Sequence, residues 1–258
     1  MSAEPEKLVE GTLISHLLEL RTRLVRAFVA IMLFFIPAAY YQTEIFHGIA
    51  LPLIQQLPKG ASLIATAVMS PFTTPLKLSF MVAVFAAMPY VLQQLWGFVA
   101  PGLYKHEKRF AVPLLVSSIV LFYAGIAFAY FFVFPLMFKF FAHAAPEGVQ
   151  MMTDINSYLD FVLTMFFAFG VAFEVPIAVV LLAITGLVSI DKLTSARGYV
   201  VIGIFVIAGI LTPPDALSMC MMALPMWFLY EAGVIFARIM TRDRPKAGDT
   251  PDETPKDA

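Results

Sequence analysis

Two short polar blocks each combine one glutamate with several basic residues. The first block is Ser15–Arg23 (SHLLELRTR), just ahead of the first long apolar run, and the second is Gly102–Arg109 (GLYKHEKR), between two later apolar runs. If both blocks face the same compartment, Glu19 and Glu107 place two carboxylates on a basic rim. A guanidinium keeps its charge and forms forked hydrogen bonds to a carboxylate, so such a rim is suited to a ligand with two positive charges.

The same spacing permits a purely structural explanation. Glu19 and Arg23 are four residues apart, and an ion pair at this helical spacing contributes about 0.2–0.5 kcal/mol. Glu107 has equivalent neighbours in Lys105, Lys108 and Arg109. The residues alone therefore leave both a binding role and a local ion-pair role open for each glutamate.

The composition indicates an integral membrane protein. Hydrophobic residues make up 60% of the chain and charged residues 14%, with a mean hydropathy of +0.83, which lies outside the range of soluble globular domains. The single cysteine, Cys220, excludes an intrachain disulfide. A polar amphipathic segment precedes the first apolar run and no small-residue cleavage site closes that run, so we expect no cleavable signal.

Apolar stretches predict an all-α, polytopic bundle. Four stretches supply most or all of the roughly 20 residues that cross a bilayer: Ala27–Tyr41, Leu78–Tyr104, Phe110–Phe138 and Phe161–Ile190. Two shorter stretches, Gly198–Leu211 and Ala216–Tyr230, flank a Thr-Pro-Pro-Asp turn in which Asp215 can cap the following helix. This pair forms either two short spans or a re-entrant hairpin.

The positions of Lys and Arg predict the orientation. Most of the 17 basic residues fall before the first span, around residues 100–112 and 186–198, and after residue 237, so the positive-inside rule places both termini in the cytoplasm.

The outer loop at 42–74 contains several prolines, among them Pro52, and we expect a rigid cap. Prolines inside most spans predict a concave, kinked bundle. We expect a membrane domain over residues 1–240 and a disordered tail over 241–258.

Glu174 is a charged residue inside an otherwise uncharged span. A charge near the centre of a membrane helix costs about 2.5–3.5 kcal/mol on insertion scales, so this carboxyl should be protonated, hydrogen-bonded or exposed to a water-filled hollow. It either ties its helix to a neighbour or serves a step of transport, and the residues favour neither.

Other classes of protein find less support. A proton-coupled small-molecule transporter would also carry an intramembrane acid, but no self-similar halves are visible. No histidine has a metal-ligand spacing and Cys220 has no nearby base, so we expect no enzyme, no metal and no cofactor. The basic residues are those that orient the chain in a lipid bilayer, so we expect no nucleic-acid binding.

Four motifs in order resemble the TatC family, the multispanning receptor of the twin-arginine protein translocase. They are SHLLELRTR at 15–23, APGLYKHEKR at 100–109, AFGVAFEVP at 168–176 and LTPPD at 211–215. The resemblance extends from about Leu13 to Arg238. It implies six transmembrane helices with short fifth and sixth helices and favours spans over a hairpin. It also implies the bacterial cytoplasmic (inner) membrane, with both termini cytoplasmic.

The resemblance further implies a function without a reaction. The family recognises the paired arginines of signal peptides on folded cargo, associates with TatB-like and TatA-like single-span proteins and with further copies of itself, and uses the proton-motive force. The matching positions for signal-peptide binding are Glu19, Glu107, Arg21, Arg23 and Phe98. Glu174 matches a glutamate in the hollow of the bundle.

The resemblance also implies a surface for partner helices, and here the chain departs from the family. Thr212 matches a threonine of that surface and Asp215 lies beside it, but Met219 stands where relatives have a glutamine. We therefore expect partner docking to depend more on adaptable packing by methionine than on a polar contact.

Overall fold

The computed structural model describes residues 4–54, 63–99, 108–144, 152–212 and 216–241. The described residues are almost entirely helical, with two short strands. The elements, in chain order, are α1 (Glu4–Tyr40), α2 (Gln42–Ile54), β1 (Leu63–Ile64), α3 (Ser70–Val99), α4 (Lys108–Phe128), a π-helical turn (Ala129–Val133), α5 (Phe134–Ala144), β2 (Thr153–Asp154), α6 (Ile155–Ala172), α7 (Val175–Ile184), α8 (Ile190–Ser195), α9 (Arg197–Leu211) and α10 (Ala216–Thr241).

Five helical segments of the described chain are long and apolar enough to cross a membrane. They are Ser15–Tyr40, Ser70–Phe98, Val112–Phe141, Ile155–Ile184 and Ala216–Thr241. The apolar helix α9 has 15 residues, about 22 Å at 1.5 Å per residue, and is short against a hydrocarbon core of about 30 Å. The predicted all-α, polytopic class is confirmed, and α9 is consistent with a sixth crossing.

Helix ends extend beyond the apolar stretches that predicted them. The amphipathic segment before Ala27 and the first span form one continuous helix, α1. At the other end of the chain, α10 continues past Tyr230 to Thr241. Glu231 lies inside this helix, where its Oε2 lies 2.7 Å from Arg197 Nη2 at the start of α9. Arg197 thus pairs with Glu231, the charged residue that follows the predicted apolar stretch Ala216–Tyr230.

Proline shapes two of the spans. Pro135 has no N–H, and the chain ahead of it widens into the π-helical turn, in which the Phe134 N–H donates to the Ala129 carbonyl. Pro176 likewise cannot donate to Ala172, and the span Ile155–Ile184 breaks there between α6 and α7. This break lies beside Glu174.

Close helix packing holds the broken span in place. The helix α4 packs against α6 and α10 packs against α7, while α1 packs along α3. At Gly233 of α10, a β-carbon would lie 2.8 Å from Pro176 Cα, so only glycine permits this approach. A β-carbon at Gly125 of α4 would overlap the Phe169 carbonyl of α6. Both contacts flank the region around Glu174.

One end of the bundle, the cap end, carries α2, β1 and β2 and the first turns of α3 and α6. The strands pair in parallel, with Leu63 opposite Thr153 and Ile64 opposite Asp154. The Asn156 side chain accepts a hydrogen bond from the Thr74 hydroxyl and donates one to Ser70 Oγ. Because Ser70 is 1% exposed and Thr74 is fully buried, Asn156 satisfies two polar groups that water does not reach.

Asp154 links the segment before α3 to the start of α6. Its carboxylate accepts hydrogen bonds from the hydroxyl and the N–H of Thr66 and caps the N-terminus of α6 through the N–H groups of Asn156 and Ser157. The bond from the Thr66 hydroxyl is the main reason that the pKa of Asp154 falls to about 2. Lys77 and Asp160 form an ion pair between α3 and α6 nearby.

Tyrosine hydroxyls hold α2 against the bundle. Tyr130 donates to the Gly48 carbonyl at 2.9 Å and Tyr158 donates to the Ile49 carbonyl at 2.8 Å. Pro52 lies in α2, four residues after Gly48, and its missing N–H leaves the Gly48 carbonyl without a helical donor. Tyr130 supplies that donor, which gives a physical reason for the expected rigidity of the cap.

Candidate functional site

The opposite end of the bundle, the basic end, holds the first polar block. Here α1 begins its apolar span while α3 and α10 end, and Arg21, Arg23, Arg26 and Arg238 lie on these segments. Glu19 and Arg23 face each other on adjacent turns of α1. Glu19 Oε1 accepts hydrogen bonds from Arg23 Nη2 at 2.5 Å and from Arg23 Nε at 3.0 Å. The predicted i,i+4 ion pair is therefore present.

Arg23 also connects α1 to the end of α3. Its Nη1 donates to the Gln94 carbonyl at 3.3 Å. The guanidinium lies against Gly97, where a β-carbon would overlap it. A carbonyl oxygen has two lone pairs, so the Gln94 carbonyl can accept from Arg23 in addition to its own helix, and a cation near the C-terminus of a helix is favourable. Arg23 is thus held at two points, and it fixes the position of Glu19 relative to α3.

An aromatic contact reinforces this junction. His16 of α1 stacks on Phe98 of α3 with ring centroids 4.2 Å apart and an angle of 23° between the planes. Phe98 was predicted as the hydrophobic neighbour of the site, and it lies next to Gly97 in the chain. Glu19, Arg23 and Phe98 are therefore brought together at one junction, which we call the α1–α3 junction together with His16, Gln94 and Gly97.

The Glu19 carboxylate keeps binding capacity. Both hydrogen bonds from Arg23 use Oε1, and Oε2 has no partner among the residues described. The side chain is 39% exposed, whereas that of Arg23 is 22% exposed. A carboxylate offers about four lone-pair sites, so Glu19 can accept a further cationic donor without releasing Arg23.

Of the other two residues predicted for signal-peptide binding, only Arg21 is described. Arg21 is exposed and contacts neither Glu19 nor Phe98. Glu107 lies outside the described residues; the residue that follows it, Lys108, begins α4. The roles of Arg21 and Glu107 stay predictions.

Glu174 occupies a second polar position, deep in the bundle. It lies at the break between α6 and α7, and its Oε2 accepts a hydrogen bond from Ser118 of α4. The carboxyl is therefore hydrogen-bonded, as its intramembrane position required. It lines a cavity of about 150 Å³ between α3 and α7.

The predicted partner surface is described only in part. Thr212 is 6% exposed and its hydroxyl donates to the Ala208 carbonyl within the same turn of helix. Met219 of α10 packs towards α9, with Cε 3.1 Å from where a β-carbon of Gly209 would lie. Asp215 lies outside the described residues. The use of these positions by a partner stays a prediction.

Sequence reasoning missed three contacts of these sites. Gln94 contributes a backbone carbonyl, Gly97 contributes the absence of a side chain, and Ser118 contributes a neutral hydroxyl. None of them stands out in the sequence as a charged or reactive residue. A serine at 118 within an uncharged run was the visible signal for the last of these. The other two depend on how α1 crosses α3, which a single sequence does not encode locally.

Comparison with known proteins identifies the family. Residues 15–225 match the family described as Sec-independent protein translocase protein (TatC). The chain belongs to the TatC family. A Sec-independent protein translocase protein TatC from Azotobacter chroococcum mcd 1 is 54% identical over 254 residues, covering 98% of this chain and 100% of the relative. The TatC protein of Escherichia coli strain K12 is 54% identical over 232 residues, covering 89% and 90% of the two chains.

A solved TatC structure agrees with the fold. The crystal structure of a twin arginine translocase receptor, TatC, superimposes with a TM-score of 0.79 at 36% sequence identity, covering 88% of this chain and all of that one. The chain is thus a multi-pass bacterial membrane protein and a subunit of a Sec-independent protein translocase, the TatC component of the Tat complex. Its relatives are named as translocase proteins and not as enzymes.

Proposed function

We propose that this TatC protein recognises the paired arginines of signal peptides at the cytoplasmic face of the membrane. It then nucleates the complex that exports folded proteins, driven by the proton-motive force. The solved relative is called a twin arginine translocase receptor, which supports this role for the present chain. The remaining support comes from the α1–α3 junction.

The observation that carries the proposal is the geometry of Glu19. Its carboxylate is anchored through Oε1 by Arg23, which is itself anchored to the Gln94 carbonyl of α3. Oε2 stays available on a partly exposed side chain. A preoriented carboxylate loses little conformational entropy when it binds a guanidinium, and charge-assisted bonds of this kind are the stronger class.

A second arginine requires a second acid, and Glu107 is the candidate. It immediately precedes Lys108, and α4 begins at the same end of the bundle at which α3 ends. Arg21 adds positive charge at this end. The positive charge of Arg21 repels a cationic ligand, so an arginine of the signal binds here only where it contacts a carboxylate directly. This favours a specific contact over non-specific electrostatic attraction.

Phe98 contributes the apolar part of the site. Its ring is stacked on His16, and the preceding residue of α3, Gly97, lies against the Arg23 guanidinium. An apolar surface next to an ion pair lowers the local dielectric constant and strengthens the pair. We propose that one arginine side chain of the signal lies between this ring and the Glu19 carboxylate, and that the other arginine binds Glu107.

The distribution of charge supports the proposed orientation. The basic end carries most of the Lys and Arg residues of the described helix ends, and by the positive-inside rule this supports a cytoplasmic basic end and an outer cap end. We propose TatB-like and TatA-like single-span proteins as partners, together with further copies of this chain. Their docking surface includes Thr212 and Met219, and we propose that Glu174 acts in a step after signal recognition.

Photocrosslinking of a signal peptide tests the receptor role. A twin-arginine signal peptide with a photoreactive group beside the arginine pair is presented to membranes that contain the full chain and its partners. Glu19→Gln and Glu107→Gln should each lower crosslinking by about tenfold, the factor expected for one lost charge-assisted bond.

The matched control is Asp191→Asn. Asp191 is an exposed carboxylate in α8 at the same end of the bundle, outside the α1–α3 junction. It removes the same charge without removing the proposed contact, and crosslinking should stay unchanged. Equal crosslinking in the wild type and in both glutamate variants, with normal insertion, would refute the receptor assignment.

A further inference from the structure

The Ser118 hydroxyl donates to another helix, whereas several threonine hydroxyls of the described structure donate within their own helix. Thr185 and Thr212 donate to the carbonyl one turn earlier in their own helix, at 2.8 Å in each case, as helical Ser and Thr commonly do. Ser118 of α4 donates instead to Glu174 Oε2, across the interface between α4 and the α6–α7 break. Its side chain is 1% exposed, so the hydroxyl has no access to lipid or to bulk water.

The position of Glu174 explains why such a donor is needed. Pro176 breaks the span at this point, and the carboxyl projects from the break instead of from a regular helix. The Glu174 N–H donates to the Val171 carbonyl at 3.0 Å, which closes a tight turn at the break. Without a partner, such a carboxyl could adopt several rotamers.

The second oxygen of this carboxyl is unused within the described structure. Glu174 Oε1 is buried and accepts no hydrogen bond from the described residues. Glu174 and Ser118 both line the cavity of about 150 Å³, whose other walls are apolar side chains of α3 and α7, including Leu92, Trp96 and Ile177. A buried acceptor without a partner is costly, so Oε1 is poised to accept a hydrogen bond from a group that enters the cavity.

The same stretch of α3 also carries the α1–α3 junction. Leu92 and Trp96 line the cavity, whereas Gln94 and Gly97, on the other side of the same turns, contact Arg23. The cavity and the proposed receptor site therefore share one rigid helical segment. A displacement of this segment on signal binding would alter the wall of the cavity.

We propose that Ser118 is a positioning residue for Glu174: its hydroxyl holds the carboxyl at the edge of the cavity, so that the second oxygen can accept a hydrogen-bond donor during transport. The proposal deepens the proposed function, because it rests on a role for Glu174 after signal recognition. Ser118 itself contacts no signal peptide in this scheme.

Infrared spectroscopy of the full chain in detergent tests the positioning directly. The stretching band of the Glu174 carboxyl is assigned by difference with Glu174→Gln. Ser118→Ala should shift this band, because the hydrogen bond is lost, and Ser118→Thr should restore it. Ser118→Cys, a weaker donor of similar size, should give a smaller shift, and it serves as the second variant if Ser118→Ala does not fold.

Ser117→Ala is the matched control, since Ser117 lies on the same helix but does not contact Glu174. An unchanged band in Ser118→Ala, or an equal shift in Ser117→Ala, would overturn the proposal.

Export completes the test. Ser118→Ala should slow export of a folded twin-arginine reporter about fivefold, which corresponds to one lost hydrogen bond, while crosslinking of the signal peptide stays unchanged. A shifted band with an unchanged export rate would also overturn the positioning role. Failure of the receptor proposal would instead be seen as crosslinking insensitive to Glu19, and it would leave the infrared result intact.

Discussion

At the cap end, Asn156 joins two buried hydroxyls and satisfies both, whereas at the basic end Glu19 is partly exposed and one of its oxygens has no partner among the residues described. Both clusters cross between helices, and both involve α3. They differ in how much hydrogen-bonding capacity stays unused. The cap end consumes its hydrogen-bonding capacity internally and so stabilises the bundle, while the basic end keeps capacity for a ligand.

The residues of α3 that stabilise the fold and the residues of α3 that we propose for recognition therefore lie at opposite ends of the helix. Ser70 and Thr74 begin α3 and are fixed by buried contacts, while Gln94, Gly97 and Phe98 end it and contact α1 at the surface. Buried polar networks are worth most when every member is satisfied. Partly exposed ion pairs contribute little to stability, so evolution can adjust them for binding.

The largest expected effect on the fold is at the cap end. Asn156→Ala removes the partner of both Ser70 and Thr74, and each buried hydroxyl left unsatisfied costs about 1–3 kcal/mol. The midpoint of thermal unfolding of the purified protein in detergent should fall clearly. Signal-peptide crosslinking at temperatures where the variant stays folded should be unaffected, and a loss of crosslinking there would break the separation between the two ends.

A change at the basic end should show the opposite pattern. Arg23→Gln removes the ion pair with Glu19 and the bond to the Gln94 carbonyl, yet it should change the free energy of unfolding by less than about 1 kcal/mol, because the pair is partly exposed. Crosslinking of the signal peptide should fall several-fold, since Glu19 loses its orientation. The control is Arg26→Gln, an exposed arginine on the next turn of α1. Similar losses in both variants would indicate a general charge effect.

The smallest expected effect concerns the pH response of the cap. Hydrogen bonds lower the pKa of Asp154 from 3.8 to about 2, so its contribution to stability is fully present above about pH 4 and is lost as the pH falls towards 2. The difference in unfolding temperature between the wild type and Asp154→Asn should therefore be constant near neutral pH and shrink below pH 4. A difference that already shrinks between pH 7 and 5 would contradict this assignment.

The sequence predicted the helices well because a membrane imposes a length of apolar chain that composition reveals directly. It predicted their ends poorly. Glu231 ended an apolar stretch, but α10 continues because Arg197 pairs with that charge, and such a pairing depends on how α9 meets α10. Likewise, Pro135 predicted a kink, while the π-helical turn before it depends on local packing.

The charged residues of the site were predictable from the sequence, but the groups that hold those residues in position were not. Helical spacing alone placed Glu19 with Arg23, and the structure confirms that pair. Neither the Gln94 carbonyl nor the Ser118 hydroxyl could be assigned from spacing, because each acts between helices that are distant in the chain. Long-range partners of this kind require the packing of the whole bundle.

A double-mutant cycle on signal binding tests the central claim most directly. The affinity of the full chain, with its partners, is measured for a signal peptide with its arginine pair and for the same peptide with two lysines, in the wild type and in Glu19→Gln. If Glu19 binds a guanidinium, the two changes should be coupled by about 1 kcal/mol or more, since lysine cannot reproduce the forked bond. Losses that add to within about 0.3 kcal/mol would show that Glu19 and the arginine pair act independently and would contradict the claim.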